Sequence, residues 1–290
     1  MKITFSFGRN WINYVKNVVD EKVIQEAKDS LLKYFPESEF KDKVFIDVGC
    51  GSGLFSLSAI LLGCKYVISF DIDPASVDAT LLLKEKFSHM LPSNCSWDIF
   101  QGNILDKNLV ESLKEKGDIV YSWGVLHHTG KMWEAIKNTA SLVKDNGYLI
   151  LAIYNHAPSS EFWLKVKKFY NEHPLLQPLL IALYGSYITF GFMIRRKTLK
   201  LRRERGMHIF YDAIDWLGGL PYEFACFDEV KEYVENLGFN LINAPTKLPC
   251  GKGVKSNVFD KIRGRNTGCN EFVFQKKKNL IDHVPNSRLY

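Results

Sequence analysis

Cysteine is scarce in this chain. There are six in 290 residues (Cys50, Cys64, Cys95, Cys226, Cys250 and Cys269), with no CxxC pair and no metal-ligand spacing. That excludes a zinc module and leaves no metal expected at any site; isolated buried thiols in a reducing compartment are the expectation. A long apolar core is missing from the opening residues MKITFSFGRNW, so a secretory signal is not expected and the cytoplasm is the expected address. Charge of either sign is modest. The formal net charge is +6, and most of the excess falls in one stretch, Arg195, Arg196, Lys197, Lys200, Arg202, Arg203 and Arg205. This is one basic patch rather than a protein basic all over. No internal repeat or low-complexity segment is present.

What the chain does have is apolar residues in quantity, 46% hydrophobic against 24% charged, enough for a large core. Residues 20–35 set Val23, Ile24, Ala27, Leu31 and Leu32 on one helical stripe, which Pro36 is expected to end. Short apolar runs then alternate with helical spacing: VFIDV (44–48), YVISFDI (66–72), DIVYSW (118–123) and YLILAIY (148–154), with CSWDIFQG (95–102) as a weaker strand. Strands alternating with helices imply βαβ units and a parallel sheet with helices on both faces. The pattern changes after Asn155. A helix-like stretch (SSEFWLKVKKFYNEH), an uncharged run from Leu175 to Ile194 and the basic cluster follow; alternation returns near Asp228, with closing strands FNLINAP and NEFVFQKK. The expected organisation is an N-terminal helical segment (1–41), a cofactor-binding half (42–155), a helical insertion (156–215) and a C-terminal part completing the sheet (216–290).

The most informative stretch is Asp47-Val48-Gly49-Cys50-Gly51-Ser52-Gly53. A strand runs into three glycines at alternate positions and then into a helix. Glycine lets the backbone turn sharply and approach a ligand closely, and a helix start offers unpaired N–H groups. The spacing is G-x-G-x-G rather than the G-x-G-x-x-G of a pyrophosphate cradle, and no Lys-Ser/Thr follows as in a P-loop. Asp47 would repel a phosphate but suits a ligand bearing an ammonium and a sulfonium. Asp71, at the end of the second strand, can accept from both hydroxyls of a ribose. Asp73, before Pro74, reads either as a ligand contact or as a helix cap.

The ordered run DVGCGSG, FDIDP, QGNILD, DIVYSWGVLHH and GYLILAIYN resembles the motif series of class I S-adenosylmethionine-dependent methyltransferases. The likeness covers about residues 42–155 closely and the strands at 238–243 and 270–276 loosely. Within that superfamily, GVLHHTGKMWEAI is most similar to methylases of small molecules, including quinone-biosynthesis O-methyltransferases. The resemblance implies a Rossmann-like α/β fold with a seven-stranded sheet and an antiparallel last strand. It implies S-adenosyl-L-methionine as cofactor, with Asp47, Gly49, Cys50, Gly51 and Gly53 around the methionine part and Asp71, with Ile72, at the ribose. Gly102, Asn103 and Ile104 would edge the adenine, and Ser122, Trp123 and Gly124 would lie beneath the cofactor. Asn103 stands where such families often carry Asp.

Methyl transfer from a sulfonium needs alignment, exclusion of water and, for a weak nucleophile, a base. His127 and His128 follow strand four and are candidate bases, or else they cap the turn. His156 is a further candidate, and Tyr154 and Asn155 are candidates to line the acceptor pocket. Trp123 and Tyr154 could turn ring faces to a sulfonium or belong to the core. The segment DWLGGLPYE (215–223) either shapes a pocket, with Asp215 and Glu223 as acceptor contacts, or packs Trp216 inside; Arg265 and Asn266 are expected in the same region. The run 175–194 is a lid over the site, an interfacial helix whose basic continuation meets anionic lipid, or a membrane span. The expected acceptor is a small molecule, with oxygen as the expected methylated atom and lipophilic compounds among the candidates. The alternative is an RNA-modifying enzyme that uses the basic segment 195–205, though no Asn-Pro-Pro-Tyr/Phe motif stands at strand four. A cofactor-binding scaffold without catalysis and a nucleotide-dependent dehydrogenase complete the alternatives.

Overall fold

The computed structural model describes residues 7–196, 214, 216–255 and 266–278. Asp215, Arg265 and the basic residues 197–205 lie outside them.

Seven strands form one sheet: β1 (Val44–Val48), β2 (Tyr66–Asp71), β3 (Ser96–Gln101), β4 (Gly117–Trp123), β5 (Val143–Tyr154), β6 (Phe239–Thr246) and β7 (Cys269–Lys276). Their order is β3-β2-β1-β4-β5-β7-β6. The first five are mutually parallel, and β7 runs antiparallel to both β5 and β6. This is the Rossmann-like sheet with an antiparallel last strand expected from the motif series. Because strand order reverses direction between β1 and β4, their carboxyl ends splay apart and leave a crevice there.

The pleat sends alternate residues to opposite faces, and each face has its own core. Phe45, Ile119, Tyr121 and Ile150 pack with helices α1 (Phe7–Asn17), α2 (Glu21–Leu31), α3 (Leu54–Leu61) and α4 (Pro74–Lys86). Ile46, Val48, Val120, Leu149 and Leu151 pack with α5 (Lys107–Leu113), α6 (Met132–Ser141) and a late helix, Phe227–Asn236. A third cluster forms past the end of β5. Trp163 and Tyr170 of α7 (Ser160–Glu172), Leu180, Ile181 and Tyr184 of α8 (Gln177–Arg196), and Trp216, Leu217 and Tyr222 gather around Tyr154. The late helix is α9.

Three expectations need correction. The second helix stops at Leu31 rather than running to Phe35, because the buried Tyr34 and Phe35 draw the chain inward through a turn. The strand expected at 148–154 begins at Val143. Cys226 and Cys250, expected as isolated thiols, form a disulfide, because the loop after β6 folds back over Ala225 and His156 and brings their Cα atoms to 5.2 Å. Two of the six cysteines thus withdraw their support from the reducing-compartment argument. Among the described residues, no helix is long and apolar enough to cross a membrane.

Candidate active site

The β1–α3 turn is made of backbone. Gly49, Gly51 and Gly53 have φ of 78°, 55° and 74°, a region that costs a side-chain-bearing residue about 1–2 kcal/mol. Space forbids a side chain as well: a Cβ at Gly53 would sit 2.6 Å from Thr80 Cγ2, and one at Gly49 would sit 2.4 Å from Val125. The turn is fastened to β2, where Gly49 N and Cys50 N both donate to Phe70 O and Gly51 N donates to Asp71 Oδ2 at 3.0 Å. Cys50 is buried against Thr80, and desolvation raises its thiol pKa, so its side chain packs there and its backbone is what it gives to the turn.

Beneath the turn runs a buried relay. Trp97 Nε1 donates to Ser69 Oγ (2.8 Å), Ser69 to Ser56 Oγ (2.7 Å), and Ser56 to Asp47 Oδ2 (2.5 Å). Asp47 is therefore oriented by α3 and β2 from below, in a chain whose bonds polarise one another. At the rim, Asp71 Oδ1 accepts from Asp73 N at 2.9 Å. Desolvation raises the Asp71 pKa to about 6, against the lowering effect of the Asp73 and Gly51 N–H bonds. A carboxylate in that condition favours added donors, which a pair of ribose hydroxyls would supply. Asp73 resolves as a cap: its oxygens accept from Ala75 N at the start of α4 and from Gly8 N at the start of α1. That second bond seats α1 over the turn, with the Trp11 indole nitrogen 3.1 Å from where a Gly51 Cβ would stand. Sequence reasoning missed Trp11, whose only signal is an aromatic residue on a short amphipathic helix.

The remaining rim positions follow in order along the sheet edge. Ile72 is half-buried, and its carbonyl accepts from Gln101. Gly102 N bonds Asp71 O, the Asn103 side-chain oxygen accepts from Leu105 N, and buried Ile104 is fixed through its carbonyl by Asn138. Ser122 is buried and donates to Val48 O, tying β4 to β1. The Trp123 indole donates to Glu271 at 3.0 Å. Gly124 (φ 76°) has nothing within 4 Å of a would-be Cβ, so open space lies beside the end of β4.

The turn after β4 places His127 and His128 against Tyr154, with ring centroids at 3.9 and 5.5 Å. His127 Nδ1 accepts from Tyr154 N at 3.3 Å, so the neutral ring carries its proton on Nε2. His128 Nδ1 lies 2.6 Å from Pro221 O, an acceptor only, so there the proton is on Nδ1 and Nε2 is the basic atom. Burial holds both pKa values down, His128 to about 3, and the nearby Lys167 charge adds to the effect. Both rings are neutral at physiological pH.

Tyr154 opens into the third cluster. Trp216 and Tyr222 each lie 5.3 Å from it, and Trp163 lies 5.5 Å from Trp216. Lys167 is fully buried, donates to Trp216 O, and sits 4.4 and 4.8 Å from the ring centroids of Trp216 and Tyr222. Sequence reading passed over Lys167, yet Trp163, Lys167 and Tyr170 share one helical face, and a lysine in an apolar stripe is the signal. Asn155 turns out to be structural: its amide holds Pro249 O, Asn266 O and Asn270. Glu223 accepts from Met132 N at the start of α6, and the His156 ring packs on Phe224 at 4.7 Å.

A family model for a methyltransferase domain matches residues 19–243. The chain belongs to this methyltransferase-domain family. Among curated proteins it is similar to a ribosomal protein L11 methyltransferase of Psychrobacter sp. (strain PRwf-1), 37% identical over 112 residues, or 31% of this chain and 36% of that protein. It is also similar to that of Hamiltonella defensa subsp. Acyrthosiphon pisum (strain 5AT), 27% identical over 152 residues, 49% of this chain and 48% of that protein. The chain therefore spans about half or less of the length of these relatives. Among solved structures, the [4+2]-cyclase SpnF has a TM-score of 0.51 at 9% identity, covering 87% of this chain and 80% of that one. The methyltransferase-domain fold and family are thus established, and the acceptor has to be argued from the site.

Proposed function

We propose that the chain is an S-adenosyl-L-methionine-dependent methyltransferase acting on a small-molecule acceptor at oxygen. The observation that carries the cofactor is the all-backbone Gly49–Gly53 turn bonded to the half-buried Asp71 carboxylate at the carboxyl edge of the sheet. Asp47, Gly49, Cys50, Gly51 and Gly53 form the methionine side, and Asp71 with Ile72 the ribose side. Gly102, Asn103 and Ile104 edge the base, and Ser122, Trp123 and Gly124 form the floor. When bound, the cofactor supplies an electrophilic methyl on sulfonium for in-line displacement. The residues of this chain bind, align and keep water out.

The acceptor side is Tyr154, the two histidines and the aromatic cluster beyond; Asp215, the sequence neighbour of Trp216, lies outside the described residues. His128, with Nε2 as its basic atom, is the candidate base, and His127 orients Tyr154 through the Nδ1 bond. The buried Lys167 gives this chamber its positive charge, beside two histidines that stay neutral, which disfavours a cationic amine such as a protein lysine and favours an oxygen acceptor. The insertion acts as a lid: Leu180, Ile181 and Tyr184 face the cluster, while Leu175, Leu179 and Leu183 are 96%, 57% and 61% exposed. That outer apolar face, followed in sequence by the cations of 195–205, supports peripheral contact with anionic lipid and a lipophilic acceptor. The described residues offer nothing that favours RNA.

Incubation with methyl-labelled cofactor and a panel of phenols, carboxylic acids, amines and L11 protein tests the acceptor. Label should enter a solvent-extractable phenol or acid. Label confined to precipitated protein would contradict the reading.

A further inference from the structure

Among the described residues, six buried side-chain polar atoms have no hydrogen-bond partner, and four of them lie around the third cluster: His127 Nε2, Ser159 Oγ, Trp163 Nε1 and Trp216 Nε1. A buried polar group left without a partner is costly, so four around one cluster call for an explanation. Chance misfit would mix donors and acceptors. Here three of the four are donors only. The two indole nitrogens can do nothing else, and the His127 Nε2 carries the proton because Nδ1 accepts from Tyr154 N. The rings that bear them are joined through Tyr154: His127 at 3.9 Å, Trp216 at 5.3 Å, and Trp163 5.5 Å beyond Trp216. The Lys167 ammonium, wholly buried over Trp216 and Tyr222, adds positive charge where the dielectric is low.

Donors without acceptors, a buried cation and flat ring walls describe the complement of one chemistry. We propose that this chamber binds the methyl acceptor as an oxyanion, a phenolate or a carboxylate on a planar apolar body, held by the N–H groups of His127, Trp163 and Trp216. The proposal rests on the methyl-transfer reading above and deepens it. The acceptor's proton passes to bulk water as the anion is taken up, so the task left to His128 is small. Transfer onto the oxyanion forms the O–C bond and breaks the C–S bond, with the electron pair remaining on sulfur. The positive field does the work of a strong base by lowering the acceptor's own pKa.

The full chain, loaded with S-adenosylhomocysteine, is titrated with 4-nitrophenol, whose absorbance reports its ionisation, and separately with 4-nitrobenzoate and 4-nitrobenzamide. The bound nitrophenol should ionise at least one pH unit below the free compound. The benzoate should bind at least tenfold more tightly than the amide. The tighter of the two oxyanions identifies the acceptor class. Trp163→Phe and Trp216→Phe keep an aromatic face, though a smaller one, and remove the N–H; each should return the nitrophenol pKa toward its free value while S-adenosylhomocysteine affinity holds. Two separate variants keep the test alive if one fails to fold. A bound nitrophenol pKa unmoved or raised, an amide as tight as the benzoate, or no uptake of either oxyanion by protein that binds S-adenosylhomocysteine overturns the proposal. Loss of S-adenosylhomocysteine binding with a shifted nitrophenol pKa would instead leave the chamber standing and remove the cofactor reading.

Discussion

The proposed cofactor turn and the proposed acceptor chamber sit at the same sheet edge and are built on opposite plans. The turn is backbone held by backbone and by a relay that ends on Asp47, with each polar link on it met by a partner within the fold. The chamber is side chains from five separate stretches, and it buries indole and imidazole N–H groups that meet no partner. The difference is one of preorganisation. A site that always binds the same ligand can be completed in the fold itself, whereas a site awaiting a particular acceptor leaves its hydrogen-bonding capacity unspent.

Breaking the turn should cost most. Gly53→Ala forces a side chain into φ 74° with Thr80 Cγ2 2.6 Å away. The expected loss is about 2–4 kcal/mol in urea unfolding, from strain and overpacking together, and cofactor binding should become undetectable in calorimetry. A mutant as stable as the parent would show that the turn is looser than its geometry. Asp71→Asn comes next. It keeps an oxygen for only one of the two backbone N–H bonds, from Gly51 or from Asp73, and removes the charge; S-adenosylmethionine affinity should fall at least tenfold, a charged hydrogen bond being worth roughly 1.5–3 kcal/mol. In the parent, that affinity should also fall as pH drops through about 6, where the carboxylate takes up its proton.

Acid sharpens the contrast further. His127 and His128 have folded pKa values below the unfolded 6.5, His128 near 3, so unfolding takes up protons as pH falls and stability declines. Asp71 works the other way: its folded pKa of about 6 exceeds the unfolded 3.8, so its contribution is present below 3.8 and lost as pH rises through 6. Two groups against one leave a net loss on going from pH 6 to pH 4, about 1.4 kcal/mol per unit for one net proton. Thermal melts across that range should show it, and His128→Asn should flatten the slope. The smallest effect belongs to Trp163→Phe without ligand. Phe keeps an aromatic ring but is smaller, so relief of the orphaned donor should offset much of the cost of the cavity it leaves, for a net change of about 1 kcal/mol or less; a larger loss would contradict that offset.

Much of the turn was legible in the sequence, because its chemistry is local: three glycines, a preceding strand and a carboxylate at the next strand's end suffice to draw it. The sheet was legible for the same reason, its central strands announcing themselves by apolar runs and β3 more weakly. The chamber was not. Trp163, Lys167, Trp216 and Tyr222 come from segments far apart, and only the packing of α7 and α8 onto the end of β5 brings them together. Asn155 and Glu223 misled for a related reason: polar residues at a strand end look available until the partners from remote loops arrive. The Cys226–Cys250 pairing, closed by a loop that doubles back, left no trace in spacing either.

The most direct test of the account is calorimetric titration of the purified chain with S-adenosylmethionine, S-adenosylhomocysteine and NAD, repeated on Asp71→Asn. Micromolar binding of the first two, none of NAD, and at least a tenfold loss in the variant are expected. Binding of NAD in their place, or equal affinity in parent and variant, would contradict it.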